Sequence, residues 1–336
     1  MKVAIYNSVK DVPGRGRNLQ QEMRDVIVEA VLAEEMGFDA MFIGEHHMDQ
    51  EGLILPSPII VATAVAAHTE QLKVGTAVLL LPLYHPVHVA EDIATLDIIS
   101  GGRTILGVGL GYQPPDFACF GIDQSEARGR LEEGVEIIRR CWTGETFSYQ
   151  GRHFQLENVT CVPTPLQRPG PPLWFGGGAP ASVRRAGRMG DGWICTMFED
   201  EPTARSLIGH YQDAAGEGNG QVVLMRDAWI ANDQAEAYRQ YEPYWLPVVK
   251  YYWRAGLPEL QHIKSESDIT MEALAPPVML IGSPEDCIAH FKKWQQITGS
   301  DYFILRIRQE HSGGPPHRQV MEAIRRFGQE VLPYLD

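Results

Sequence analysis

Cysteine is scarce and unpatterned in this chain. The five residues, at 119, 141, 161, 195 and 287, form no CxxC pair. An odd count at such spacings excludes a disulfide framework and a structural zinc site, and fits buried thiols in a reducing compartment. Positive charge is also in deficit, with 29 Lys and Arg against 43 Asp and Glu, a formal net charge of −14. Nucleic acids and anionic membranes require basic surfaces, so neither is expected as a partner. No uninterrupted run of about 18 apolar residues is present to span a bilayer. The opening MKVAIYNSVK lacks the apolar stretch of a secretion signal and passes straight into a strand pattern. A soluble, cytoplasmic protein is therefore expected. No low-complexity tract or short internal repeat interrupts the 336 residues, and a hydrophobic content of 44% supplies ample core for one barrel-sized domain.

Apolar runs and helical patterns alternate from end to end. Strands are predicted at Val3–Tyr6, Ala40–Ile43, Lys73–Val78, Thr104–Val108, Leu173–Phe175, Trp193–Cys195, Val222–Ile230 and Tyr302–Ile307. These runs are mostly unbroken instead of alternating, as strands buried on both faces should be. The first helix carries Met23, Val26, Ile27, Ala30 and Val31 at helical spacing and stops at Gly37. Others are predicted over 58–68, 88–99, 126–141, 182–189, 285–298 and 318–332. Repeated βα units with eight strands favour an α/β (β/α)8 TIM barrel, a single domain over 1–336. Insertions follow the fourth strand (144–172, with a hairpin-like TFSYQGRHFQLENV) and the seventh. The second insertion, about 233–283, holds Tyr238, Tyr241, Tyr244, Trp245, Tyr251, Tyr252 and Trp253. So aromatic a segment is not disordered; it is expected either to pack or to cover the carboxyl face of the barrel.

The strongest chemical signal is AEEMGFDAMFIGEHH, residues 33–47. A helix end, a glycine and a short strand deliver Glu45, His46 and His47 to a strand's carboxyl end, where such sheets keep their chemistry. Alternation puts Glu45 and His47 on one side and His46 on the other, so the two histidines cannot chelate one metal, and no metal is expected. His46 suits proton transfer, the plainer alternative being a hydrogen-bonded histidine at a strand end. Gly107, Gly109 and Gly111 in ILGVGLGYQPPDF do not sit as a nicotinamide fingerprint does, and permit either a tight bend or the approach of a flat ring. In WFGGGAP, residues 174–180, a strand ends in three glycines before a helix, which makes a backbone anion site or a flexible turn. Arg306 and Arg308 either meet an anionic ligand or pair with acids, and His311 in HSGGPP reads as part of a loop.

Together these pieces resemble the bacterial luciferase-like flavin monooxygenases. The matching text is AEEMGFDAMFIGEHH (33–47), LKVGTAVLLLPLYHPVHVAEDIATLDIISGGR (72–103), GLGYQPPDFACFGID (109–123) and VMLIGSPEDCIAHFKKW (278–294), so the resemblance covers nearly the whole chain. It implies a (β/α)8 barrel with reduced FMN, or its analogue F420, at the carboxyl face. His46 matches the active-site histidine and Glu45 its preceding acid. Ala77–Val78 falls where a non-proline cis peptide underlies the isoalloxazine. Gly177 and Gly178 match the phosphate loop, with Leu110, Tyr112, Gly176 and Thr196 completing the implied cofactor contacts. Luciferase has an acid and a serine at 177 and 178, and a phosphate-contacting arginine at 110, which leaves backbone amides as the phosphate ligands here. Gly109 replaces a cysteine near the flavin, so light emission is not expected. The implied reaction is oxygenation of a small organic substrate by O2 through a C4a-peroxyflavin kept dry, with FMN reduced by a separate NAD(P)H:flavin reductase and a homodimer as the assembly. The alternatives are F420-dependent hydride transfer and a flavin-binding protein without turnover.

Overall fold

The computed structural model describes residues 1–8, 18–47, 56–216, 220–309 and 313–335. Its strands are β1 (Lys2–Asn7), β2 (Ala40–Ile43), β3 (Lys73–Thr76), β4 (Thr104–Val108), β5 (Phe147–Gln150), β6 (Gln155–Val159), β7 (Leu173–Gly176), β8 (Gly192–Ile194), β9 (Gln221–Ile230), β10 (Leu280–Gly282) and β11 (Tyr302–Arg306). Parallel pairing runs β9, β11, β1, β2, β3, β4, β7, β8, and the β8–β9 ladder closes the ring. The eight predicted strands are the eight staves of a TIM barrel. β3 ends at Thr76, two residues earlier than predicted; the Ala77 amide still donates to the Ile43 carbonyl at 3.0 Å, and the Ala77–Val78 bond that follows is cis. The segment rejoins β4 immediately, through a parallel bridge from Leu79 to Val108.

Unbroken apolar strands have two buried faces to fill, and the barrel uses both. Inside it, Phe42 stacks on Trp174 at 5.5 Å and Trp174 meets Tyr302 edge-on at 5.2 Å. Tyr6, Ile194 and Met225 belong to the same inner cluster. Outside, the strands pack on helices such as Leu19–Glu35, which buries Val26, Ala30, Leu32 and Ala33 before its C-cap at Met36. The helix Pro86–Ser100 is anchored at its end by Arg103, whose guanidinium donates to the carbonyls of Ala66, Thr69 and Leu72. Asp97, fully buried on that helix, accepts from the backbone and side-chain nitrogens of Gln167.

The segment after β4 forms the antiparallel hairpin β5–β6. The aromatic segment after β9 is mainly one helix, Gln234–Arg254, with Pro243 and Pro247 on its exposed side. Tyr241 stacks on Trp229 at 5.0 Å, and the indole of Trp245 donates to Asp227 at 2.6 Å. Packing thus accounts for much of the aromatic content. β10 adds a short parallel strand to the far end of β9, pairing Leu280–Gly282 with Ala228–Ile230. Among the described residues, no helix is long and apolar enough to cross a membrane. Four of the cysteines are buried, but Cys119 is exposed, because it ends a short surface helix, Pro114–Cys119.

Candidate active site

A cavity of about 410 Å³ opens at the carboxyl ends of the strands. Glu45, His46, Ala77, Val78, Leu110, Tyr112, Gly176, Gly177, Gly178 and Thr196 all line it. The fold therefore gathers every predicted site residue at one place, from the ends of β2, β3, β4, β7 and β8. It adds Tyr6, Ser182, Cys195, Met225, Tyr252, Glu259 and Arg306.

Beyond Ile43 the chain leaves the β2 ladder and places half-buried His46 in the cavity wall. Glu45 does not present a free carboxylate. Its Oε2 accepts from the Leu80 amide at 2.6 Å, and its Oε1 accepts from the Tyr84 hydroxyl at 2.5 Å and lies 2.5 Å from His47 Nε2. His47 is held in turn edge-on against Phe120 at 5.0 Å. Burial, followed by the negative Glu45, pushes the Tyr84 phenol well above its ordinary value, so it remains a proton donor. These bonds tie the end of β2 to the segment that follows the cis peptide.

The glycines at the strand ends serve close approach more than bending. A Cβ on Gly109 would lie 2.5 Å from one methyl of Val78, and a Cβ on Gly176 would lie 2.7 Å from the other. Bare backbone on both sides lets Val78 sit between β4 and β7 at the cavity floor. Cys195, also at that floor, is raised to about 12 by burial, outweighing the nearby Arg226, so it stays a neutral thiol.

At the other end, Gly176–Gly178 leads into the helix Pro180–Met189. The amides of Gly178 and Ala179 donate to no acceptor among the described residues. Free amides at the start of a ten-residue helix suit an anion. The largely apolar cavity, its bare glycine walls and this amide cluster together fit a flavin ring with a terminal phosphate. Two acids stand beside the same loop. Glu199 Oε1 accepts from the Thr196 amide at 2.9 Å and from its hydroxyl at 2.7 Å, while Oε2 lies 3.8 Å from Arg226. Glu259 Oε1 comes within 2.6 Å of where a Cβ on Gly178 would stand. Burial, and then Glu199, push Glu259 above the usual carboxylate range.

The two arginines at the end of β11 part company. Arg306 lines the cavity, 3.5 Å from Asp227 and over the ring of Tyr6. Arg308 is turned away and pairs with Glu29 and Glu22 of the first helix. His311 lies outside the described residues.

A closed parallel barrel with its chemistry at the carboxyl ends of the strands defines an enzyme of the TIM-barrel class. The chain belongs to the luciferase-like monooxygenases, whose family profile matches residues 5–301. That membership places it among oxidoreductases. The crystal structure of the monooxygenase RslO1 from Streptomyces bottropensis superposes with a TM-score of 0.84 at 26% identity, covering 100% of both chains. An F420-dependent glucose-6-phosphate dehydrogenase of Nakamurella multipartita is 36% identical over 91% of each chain. The oxygenase component of a flavin-dependent trigonelline monooxygenase from Acinetobacter baylyi is 27% identical over 65% of this chain and 62% of that one. Matches to two Sinorhizobium fredii proteins, y4wF and y4vJ, are 38% and 33% identical but span only 52% and 62% of their lengths.

Proposed function

We propose that the protein is the oxygenase of a two-component flavin monooxygenase, taking reduced FMN from a separate NAD(P)H:flavin reductase and oxygenating a small, largely apolar organic substrate with O2. One observation carries this reading. Among the described residues lining the cavity, Arg306 is the only Lys or Arg, and Asp227 already sits beside it. A sugar phosphate would need more positive charge than that. The relationship to a flavin-dependent oxygenase component supports the reductase partner.

Bound reduced flavin supplies the electrons that activate O2. The protein's share is to seat, shield and move protons. Val78, flanked by Gly109 and Gly176, would support the ring, and the amides of Gly178 and Ala179 with Ser182 would hold the phosphate. Leu80, Leu110, Met197, Tyr252 and Leu257 keep water from the reacting atoms. The His46 imidazole gives and takes the proton at the reacting oxygen. Glu45 acts as a positioning residue, holding the loop that carries His46 against the segment 80–84. Val28, Ile60, Ile98 and Ile99 are exposed on the helices Leu19–Glu35, Pro58–Ala66 and Pro86–Ser100, and support a homodimer formed through those helices.

Anaerobic titration tests the reading. Reduced FMN should bind more tightly than reduced F420, and His46→Ala should lower oxygenation about a hundredfold or more while leaving FMN affinity within about twofold. Tighter binding of reduced F420, or full activity in the variant, would overturn it. The second reading, F420-dependent hydride transfer, is favoured by the full-length likeness to the Nakamurella multipartita dehydrogenase.

A further inference from the structure

A second cavity, of about 810 Å³, opens from the phosphate end of the first. The two share Gly178, Ala179 and Glu259 in their linings, so Glu259 stands where they meet. The walls beyond it are largely apolar, from Phe198, Leu207, Trp245, Val249 and Leu274. The charged lining consists of Asp200 and Glu259, with no Lys or Arg among the described residues. His262 is the one basic side chain there, and its Nδ1 lies 3.0 Å from the carbonyl oxygen of Glu259. One carboxylate oxygen of Glu259, Oε2, is buried and has no hydrogen-bond partner among the described residues.

This arrangement bears on what can extend past the phosphate. FMN ends there as a monoester. The phosphate of F420 is a diester that continues into a tail of glutamates, each adding negative charge. Such a tail would leave the loop at Glu259 and enter a groove that offers it carboxylates and apolar walls, and no Lys or Arg among the described residues. We infer that Glu259, with Asp200 behind it, is a specificity-determining residue that restricts this site to flavins ending in a monophosphate. The inference rests on the proposal that the first cavity holds a flavin or deazaflavin with its phosphate at residues 176–178.

Equilibrium binding tests it without turnover. The probes are FMN, F420 carrying two glutamates, F420 carrying five or six, and the tail-free deazaflavin, each at low and at high salt. In the native protein, affinity for F420 should fall about tenfold from the short tail to the long one at low salt, and the gap should close as salt screens it. Glu259→Gln should flatten this dependence, and Glu259→Lys should reverse it. Affinity independent of tail length at low salt would overturn the inference, as would a dependence unchanged in Glu259→Gln. So would the failure of every F420 form to bind both the native protein and Glu259→Lys, since another feature would then exclude it. If F420 instead bound more tightly than FMN, the proposed function and the restriction to monophosphate flavins would both fail, whereas tighter FMN binding with a tail-length dependence unchanged in Glu259→Gln would overturn the role of Glu259 alone. Melting curves of both variants verify that they fold.

Discussion

At the His46 end of the cavity both carboxylate oxygens of Glu45 have donors, whereas at the Gly178 end Glu259 Oε2 and Glu199 Oε2 lie buried without a hydrogen bond among the described residues. The first end is completed by folding. The second is built around bare amides and crowded acids that no described residue satisfies. Unsatisfied buried polar atoms cost about 1–3 kcal/mol each, so they persist where function requires them. The comparison separates residues that hold the site together from residues that select what enters it.

Removing Glu45 should have the largest effect. Glu45→Ala strips the acceptor from the Leu80 amide, the Tyr84 hydroxyl and His47 at once, in a position only 4% exposed. A loss of about 3–5 kcal/mol in urea denaturation is expected; a loss under about 1 kcal/mol would show that this end is not held by its hydrogen bonds. Gly176→Ala comes next, since its new methyl would meet Val78 at 2.7 Å. It should cost about 1–3 kcal/mol and abolish FMN binding by shifting the floor. Unchanged FMN affinity, measured by fluorescence quenching, would remove Val78 from the ring seat.

The smallest effect is expected at the selecting end, and its sign is informative. The folded protein keeps Glu259 protonated to a higher pH than the unfolded chain does, through burial and then Glu199. Native stability from this group is complete below the ordinary carboxyl pKa and falls as pH rises through the raised one. Glu259→Gln lacks that loss. It should match the native protein in acid and exceed it near neutrality by less than about 1 kcal/mol, the scale of a partly solvated carboxyl. A variant less stable than the native protein at neutral pH would mean that Glu259 holds its loop instead of straining it.

Eight staves were legible because strands buried on both faces read as continuous apolar runs, and Ala40–Ile43 and Thr104–Val108 fall where predicted. β10, Leu280–Gly282, was not predicted; it is an added strand paired only with β9, outside the ring of eight. The helix Gln234–Arg254 escaped because Pro243 and Pro247 mask its periodicity. In the site, His46 and the glycine loop were visible as local motifs. Tyr6, Cys195, Met225 and Glu259 were not, since each stands alone in sequence and meets the others only when the barrel closes. Residues 85–103, the second half of the family-matching stretch 72–103, have the opposite character: Asp97 and Arg103 brace helices and loops, and none of these residues lines the cavity.

The amide of Ala231 donates to the carbonyl of Gly282 at 3.0 Å, closing off the whole stretch between β9 and β10 at its base. Fifty residues thus depart from and return to the same spot on the scaffold, though they furnish Tyr252, Leu257 and Glu259 to the cavity. Such a stretch has one point of entry and exit, yet it is not detachable, because Tyr241 donates to the carbonyls of Arg306 and Ile307 and Trp245 to Asp227. A counterpart grafted from a relative at Ala231 and Gly282 would therefore have to bring both aromatic residues with it if the staves are to keep their packing.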